Sequence, residues 1–183
     1  MKKAENVSSR GPLKLTRGPA CSGTLIDGAA QPDFIVDHML IKLGKYLRIA
    51  GCDAAWDRSV RTHELIDRAN AEGRIFLTRN TRLPDQYPPV KRLLLIRAEE
   101  PVGQLGEVVQ ATGLDLRRRL FSRCVRCNVA LDIVPDKKQI EERVHPNVYG
   151  RYDRFYTCPS CGTVFWKGSH VHNTCTKLGI AED

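Results

Sequence analysis

The sequence predicts an α/β protein: a parallel sheet with flanking helices, followed by a small C-terminal unit held together by cysteines. Three observations carry this. Strand-like and helix-like segments alternate between residues 34 and 113. The strand-like segments, such as Phe34-Ile35-Val36 and Ile75-Phe76-Leu77, are continuous apolar runs rather than alternating ones, as expected for strands covered on both faces. Two Cys-x-x-Cys pairs then follow, at Cys124/Cys127 and Cys158/Cys161.

Residues 1–33 are rich in Gly, Pro, Ser and Ala without sustained periodicity and read as a disordered, mildly basic tail. Order begins with the strand Phe34–Val36, which ends in Asp37. The segment DHMLIKLGKYLRIAG then places Met39, Leu40, Leu43, Leu47 and Ala50 on one helical face, with Gly51 suited to the C-terminal cap. Lys42, Lys45 and Arg48 fall off that stripe and are expected in solvent. An extended piece follows near Ala54–Trp56. A second helix, THELIDRANAEG, can be capped by Thr62 and directs Leu65, Ile66 and Ala69 inward. Strands at 74–78 and 92–96 and a helix through Leu105, Val108 and Val109, stopped by Gly113, complete a domain at 34–120. In such sheets ligands sit beyond the carboxyl ends of the strands, so Asp37 and Asn80 share a rim.

Residues 121–183 form the second unit. A two-residue gap lets both sulfurs of a knuckle face one ion, and two knuckles complete a tetrahedral shell with no open position, which describes structural zinc. The alternatives for such a set are an iron–sulfur cluster and redox thiols. The segment CPSCG resembles a zinc-ribbon knuckle, and the thirty residues between the pairs can form a hairpin. Cys21, Cys52 and Cys175 remain outside the set; Cys52, beside a helix end, reads as a small buried residue.

Charge narrows the partners. Lys and Arg number 29 against 21 Asp and Glu, a balance that favours anionic partners such as RNA. Five arginines, Arg117, Arg118, Arg119, Arg123 and Arg126, fall within ten positions and read equally as a phosphate track or a solvated face. No apolar run reaches the length of a membrane span, and the N-terminal stretch lacks the apolar core of a secretory signal. Paired cysteines without that signal point to a reducing, cytoplasmic setting.

Candidate carboxylates for metal-assisted hydrolysis are Asp37, Asp57, Glu64, Asp67 and Asp85. Phosphodiester hydrolysis commonly uses Mg²⁺ or Mn²⁺ held by carboxylates converging from different elements. Each also has a local reading: Asp37 as a helix N-cap, Glu64 in a first helical turn, Asp57 and Asp85 as turn residues.

The series FIVDHMLIKLGKYLRIAG, HELIDRANAEGRIFLTRN, SRCVRCN and CPSCGTVFWKGSH resembles the Mut-seven C-terminal RNase domain family over roughly residues 33–178. The resemblance implies a PIN-like nuclease fold joined to a zinc ribbon. It makes Asp37 the first acidic position of a nuclease site and Glu64 an acidic position on the following helix. The family usually places Asp where this chain has Asn80, so an amide stands in place of a metal-site carboxylate, with Asp85 able to assist from the loop. His170 becomes a candidate for the RNA-facing surface, or else part of a hydrogen-bonded turn. The implied activity is a divalent-metal-dependent ribonuclease with structural zinc. The competing readings are an RNA-binding or regulatory protein on the same fold with impaired catalysis, and a toxin-like module with a protein partner.

Overall fold

The computed structural model describes residues 31–178; of His170, His172 and Lys177 it describes only the backbone, so the readings of the 1–30 segment and of the His170 side chain lie outside the described residues. Four parallel strands, β1 (Phe34–Val36), β2 (Ala54–Ala55), β3 (Ile75–Thr78) and β4 (Leu93–Leu95), lie in the order β2-β1-β3-β4. Helices α1 (Ile41–Ile49), α2 (Thr62–Glu72), α3 (Leu83–Gln86) and α4 (Pro101–Thr112) connect and cover them.

The apolar runs make three layers. Successive residues of a strand point to opposite faces. Phe34, Val36, Ile75 and Leu77 therefore pack with Leu43 and Leu47 of α1 and Leu105 and Val108 of α4. Ile35 and Phe76 pack on the other face with Leu65, Ile66 and Ala69 of α2. Both faces are buried, which is why the strands carry no polar alternation. Gly51 and Gly113 end α1 and α4 at φ +82° and +67°. At Gly51 an added Cβ would lie 2.1 Å from the Arg119 carbonyl oxygen, so only glycine fits there.

Three details of the sequence reading change. A 3₁₀ turn, His38–Leu40, precedes α1. Its tighter winding takes Met39 out of the helical phase, leaving it 63% exposed. Thr62 is the first residue of α2 rather than its cap; the helix end is closed by the Glu64 carboxylate, which accepts the Arg61 N–H at 2.7 Å. Arg48, off the apolar stripe of α1, is 4% exposed, because its guanidinium is engaged by partners beyond the helix.

The cysteine pairs border an antiparallel sheet of β5 (Asp132–Ile133), β6 (Phe155–Thr157) and β7 (Val164–Trp166), in the order β5-β6-β7. A 3₁₀ segment, Lys137–Arg143, and helix α5 (Pro146–Arg151) fill the span before β6. Beyond β7 the chain forms helix α6 (Ser169–Lys177), where the sequence reading offers a turn.

Candidate metal centre and sheet rim

The two knuckles repeat one geometry. Cys124 N–H donates to Val129 O (2.8 Å) and Asn128 N–H to Cys124 O (2.9 Å); in the second, Cys158 N–H donates to Thr163 O (3.0 Å) and Gly162 N–H to Cys158 O (2.8 Å). The Cys127 N–H points at the Cys124 sulfur and the Cys161 N–H at the Cys158 sulfur, each at 3.4 Å. Asn128 and Gly162 occupy matched left-handed positions, at φ +64° and +69°. A guanidinium donates to the carbonyl of each: Arg123 to Asn128 O, Arg143 to Gly162 O.

The four sulfurs lie within 4.8 Å of one another, with 3.9 Å between those of Cys124 and Cys161. A tetrahedral ion with bonds of about 2.3 Å to sulfur needs sulfurs about 3.8 Å apart, so the set fits such an ion. The protein's own groups treat these thiols differently. Burial pushes Cys124 up to about 12, while a bond with the Thr163 hydroxyl pulls Cys161 down to about 6. Among the described residues this is the one group of three or more metal-ligating side chains that converges.

The second feature is the rim between β1 and β3. The chain leaves β1 for β2 on one side and leaves β3 for β4 on the other, which makes this the topological switch point of the sheet. Val36 pairs with Leu77, so Asp37 emerges opposite Thr78. The Asp37 carboxylate, 5% exposed, accepts the His38 N–H (2.7 Å) on one oxygen and the Thr78 hydroxyl (2.5 Å) on the other. Thr78 Oγ1 in turn accepts the Asn80 N–H at 3.0 Å. The Asn80 side chain faces its own turn: Oδ1 accepts the Arg82 N–H (3.0 Å) and Nδ2 donates to Gln86 (3.3 Å). That is an Asx turn leading into α3.

The other acidic candidates have local partners or lie in solvent. The backbone bond from Arg61 holds the Glu64 carboxyl below the usual carboxylate range. Asp57 accepts the Ser59 N–H (2.8 Å) and hydroxyl (2.5 Å). Asp67 and Asp85 are exposed, Asp85 in the first turn of α3. Asp37, Glu64 and Asp85 do not gather as the cysteines do.

Arg117, Arg118, Arg119 and Arg126 are exposed, whereas Arg123 is half-buried, 3.6 Å from Asp53. The Phe121 N–H donates to Ile49 O (2.7 Å), which fixes the arginine segment at the C-terminal end of α1. Asp37 lies before the N-terminal end of that helix, and nine residues of helix span about 14 Å. Arg117–Arg119 are therefore remote from the rim along this axis.

Sequence reasoning gave no role to Thr78, Arg48, Asp53 or Asn128. Thr78 sits inside the quoted Thr-Arg-Asn stretch, where the apolar run ends in a hydroxyl, and that was the available signal. The other three act across distant segments and leave no local pattern.

Over residues 32–178 the sequence matches the Mut7-C RNAse domain family. The chain belongs to this family. No curated protein and no solved structure matches it significantly. The family match covers both the parallel sheet and the cysteine unit, and the cysteine set could hold a metal ion. No helix among the described residues is long and apolar enough to cross a membrane.

Proposed function

We propose that this Mut7-C chain hydrolyses RNA phosphodiesters weakly, with zinc as a structural ion on Cys124, Cys127, Cys158 and Cys161. The single observation that carries the hydrolytic reading is Asp37, a carboxylate seated at the switch point of a parallel sheet in a chain of this family. Mg²⁺ or Mn²⁺ is usually held by one or two carboxylates together with substrate phosphates. Asp37 supplies one, and such an ion would polarise the phosphate and activate water.

The chain's own residues do the rest. The Thr78 hydroxyl and the His38 N–H fix both oxygens of Asp37 and oppose its rotation. Arg79, half-buried and 3.7 Å from Glu99, and exposed Arg82 supply positive charge close to the rim. Asn80 offers only a neutral carbonyl oxygen, itself engaged by Arg82. That engagement supports the second reading, an RNA-binding member of the family with impaired hydrolysis. Glu64, in the first turn of α2, and Asp85, in the first turn of α3, join the site only if those helix ends shift on binding.

The test is labelled RNA incubated with Mn²⁺, with and without chelator, for wild type, Asp37→Ala and Asn80→Asp. The expected result is slow chelator-sensitive cleavage, abolished by Asp37→Ala in a folded protein and raised by Asn80→Asp. Binding without cleavage in every form selects the second reading, and brisk cleavage indifferent to Asn80 removes Asn80 from the account. RNA affinity should fall with salt, and replacing two of Arg117, Arg118 and Arg119 should lower the log–log slope by roughly two units. An unchanged slope makes them a solvated surface.

A further inference from the structure

β2 is the edge strand of the parallel sheet and is two residues long. On its inner side Asp53 O accepts the Phe34 N–H of β1 at 2.7 Å. Ala54 turns its backbone groups the other way, where no strand follows among the described residues. Two side chains meet them: Asn128 Oδ1 accepts the Ala54 N–H (3.2 Å), and Arg48 Nε donates to Ala54 O (2.8 Å).

Both side chains also tie into the first cysteine knuckle, Arg48 from α1 and Asn128 from the knuckle itself. Arg48 Nη1 donates to the carbonyls of Val125 and Arg126, each at 2.9 Å, inside the loop between Cys124 and Cys127. Asn128 closes that knuckle, and its Nδ2 donates to Asp53 Oδ1 at 2.7 Å. Asp53 is tied in turn to Arg74 at 2.5 Å, at the start of β3. The face of the Arg48 guanidinium stacks 3.4 Å from the Trp56 ring centre. That ring lies where a side chain on Gly44 would collide with it, 2.9 Å from the ideal Cβ position.

We infer that the first knuckle completes the open edge of the sheet, so that metal binding at the four cysteines and order at the β2 edge form one cooperative transition. The inference rests on the cysteines holding a metal. A bound ion fixes the backbone of residues 124–128 and therefore the acceptors of Arg48 and the position of Asn128. Loss of the ion frees that loop, and Ala54 loses both partners together. A buried guanidinium deprived of its acceptors would then pull the loosening into α1 and Trp56. By linkage, whatever steadies β2 also tightens the metal.

The experiment measures amide hydrogen exchange by NMR on the full chain, zinc-loaded and after chelation, with zinc content determined first by elemental analysis. Chelation should speed exchange at Ala54 and at the C-terminal turn of α1 at least about tenfold, while α2 keeps its protection. Asn128→Gly, which suits the left-handed backbone but removes the link, should release zinc to a chelator about 10–100-fold faster. It should also make Ala54 exchange nearly independent of zinc. A chain that binds no zinc overturns the metal site and this inference with it. A chain that binds zinc, yet whose Ala54 exchange is unchanged by removing it, overturns this inference alone. Should Asn128→Gly fail to fold, the wild-type comparison decides by itself.

Discussion

The two knuckles share a backbone but not an environment. In the first, Cys124 is fully buried, Asn128 reaches into the sheet and the loop carbonyls accept from a buried Arg48. In the second, Cys158 is buried like Cys124, but Cys161 and Gly162 are exposed, and exposed Arg143 provides the contact to the Gly162 carbonyl. At the matched left-handed position glycine is enough where the knuckle faces solvent. Asparagine tolerates the same backbone and adds two hydrogen-bonding groups, Oδ1 and Nδ2, where the knuckle faces the sheet. The local geometry is thus set by metal-ligand spacing, and the outer side chains decide which copy is joined to the rest of the protein.

The largest expected effect comes from the cysteines. Cys124→Ser and Cys161→Ser both open the four-sulfur shell, and elemental analysis should find zinc lost from each. Denaturant unfolding should nonetheless separate them, with Cys124→Ser less stable by ~1–3 kcal/mol because its hydroxyl is buried. Equal losses would mean that burial of the Cys124 position adds nothing to the cost of opening the shell.

Arg48 comes next. Arg48→Met keeps the bulk but leaves the carbonyls of Ala54, Val125 and Arg126 without their donor, at a cost of ~2–4 kcal/mol. Arg48→Lys should recover only part of it, since an ammonium cannot reproduce a planar fork stacked on Trp56. Arg143→Met, which removes the guanidinium contact to the second knuckle, should cost ~1 kcal/mol or less. Thermal or denaturant midpoints of the three variants sharpen the comparison directly.

A smaller contrast is the exchange of the capping residues. Asn128→Gly should cost ~1–2 kcal/mol in denaturant unfolding through lost hydrogen bonds, whereas Gly162→Asn should cost ~1 kcal/mol or less, since asparagine accepts a left-handed backbone. The reverse order of unfolding midpoints would place the junction at the wrong knuckle.

The smallest effect is one of pH. Burial alone would raise the Asp53 carboxyl, but hydrogen bonds from Arg74 and Asn128 outweigh it and hold the group below its usual range. A depressed folded-state value means stability that is present above the unfolded carboxylate range and lost as pH falls through the folded value. The stability difference between wild type and Asp53→Asn should therefore be largest near neutrality and shrink in acid. A difference constant with pH would show that Asp53 contributes only geometry.

Much of the α/β framework is legible in the residues themselves. The apolar runs at 34–36 and 75–77, the stripes of α1 and α2 and the stops at Gly51 and Gly113 are local patterns whose period and conformational demands identify strand, helix and cap. The four-cysteine set is legible for the same reason, because a two-residue gap defines a knuckle wherever it occurs. The rim is legible in part: Asp37 follows from a strand ending in a carboxylate, but its Thr78 partner depends on the parallel register of β1 with β3. Periodicity also places Arg48 in solvent, and nothing within α1 corrects that. Only the tertiary structure supplies the acceptors 77 and 78 residues away that bury its guanidinium. It likewise decides that Asn128, 74 residues from Ala54, closes the edge of a sheet, whereas Glu64 closing a helix and Asn80 closing a turn are contacts over three and two residues. A polar side chain's role is set by which unpaired group comes within hydrogen-bonding reach, and across distant segments that proximity arises only when the chain folds.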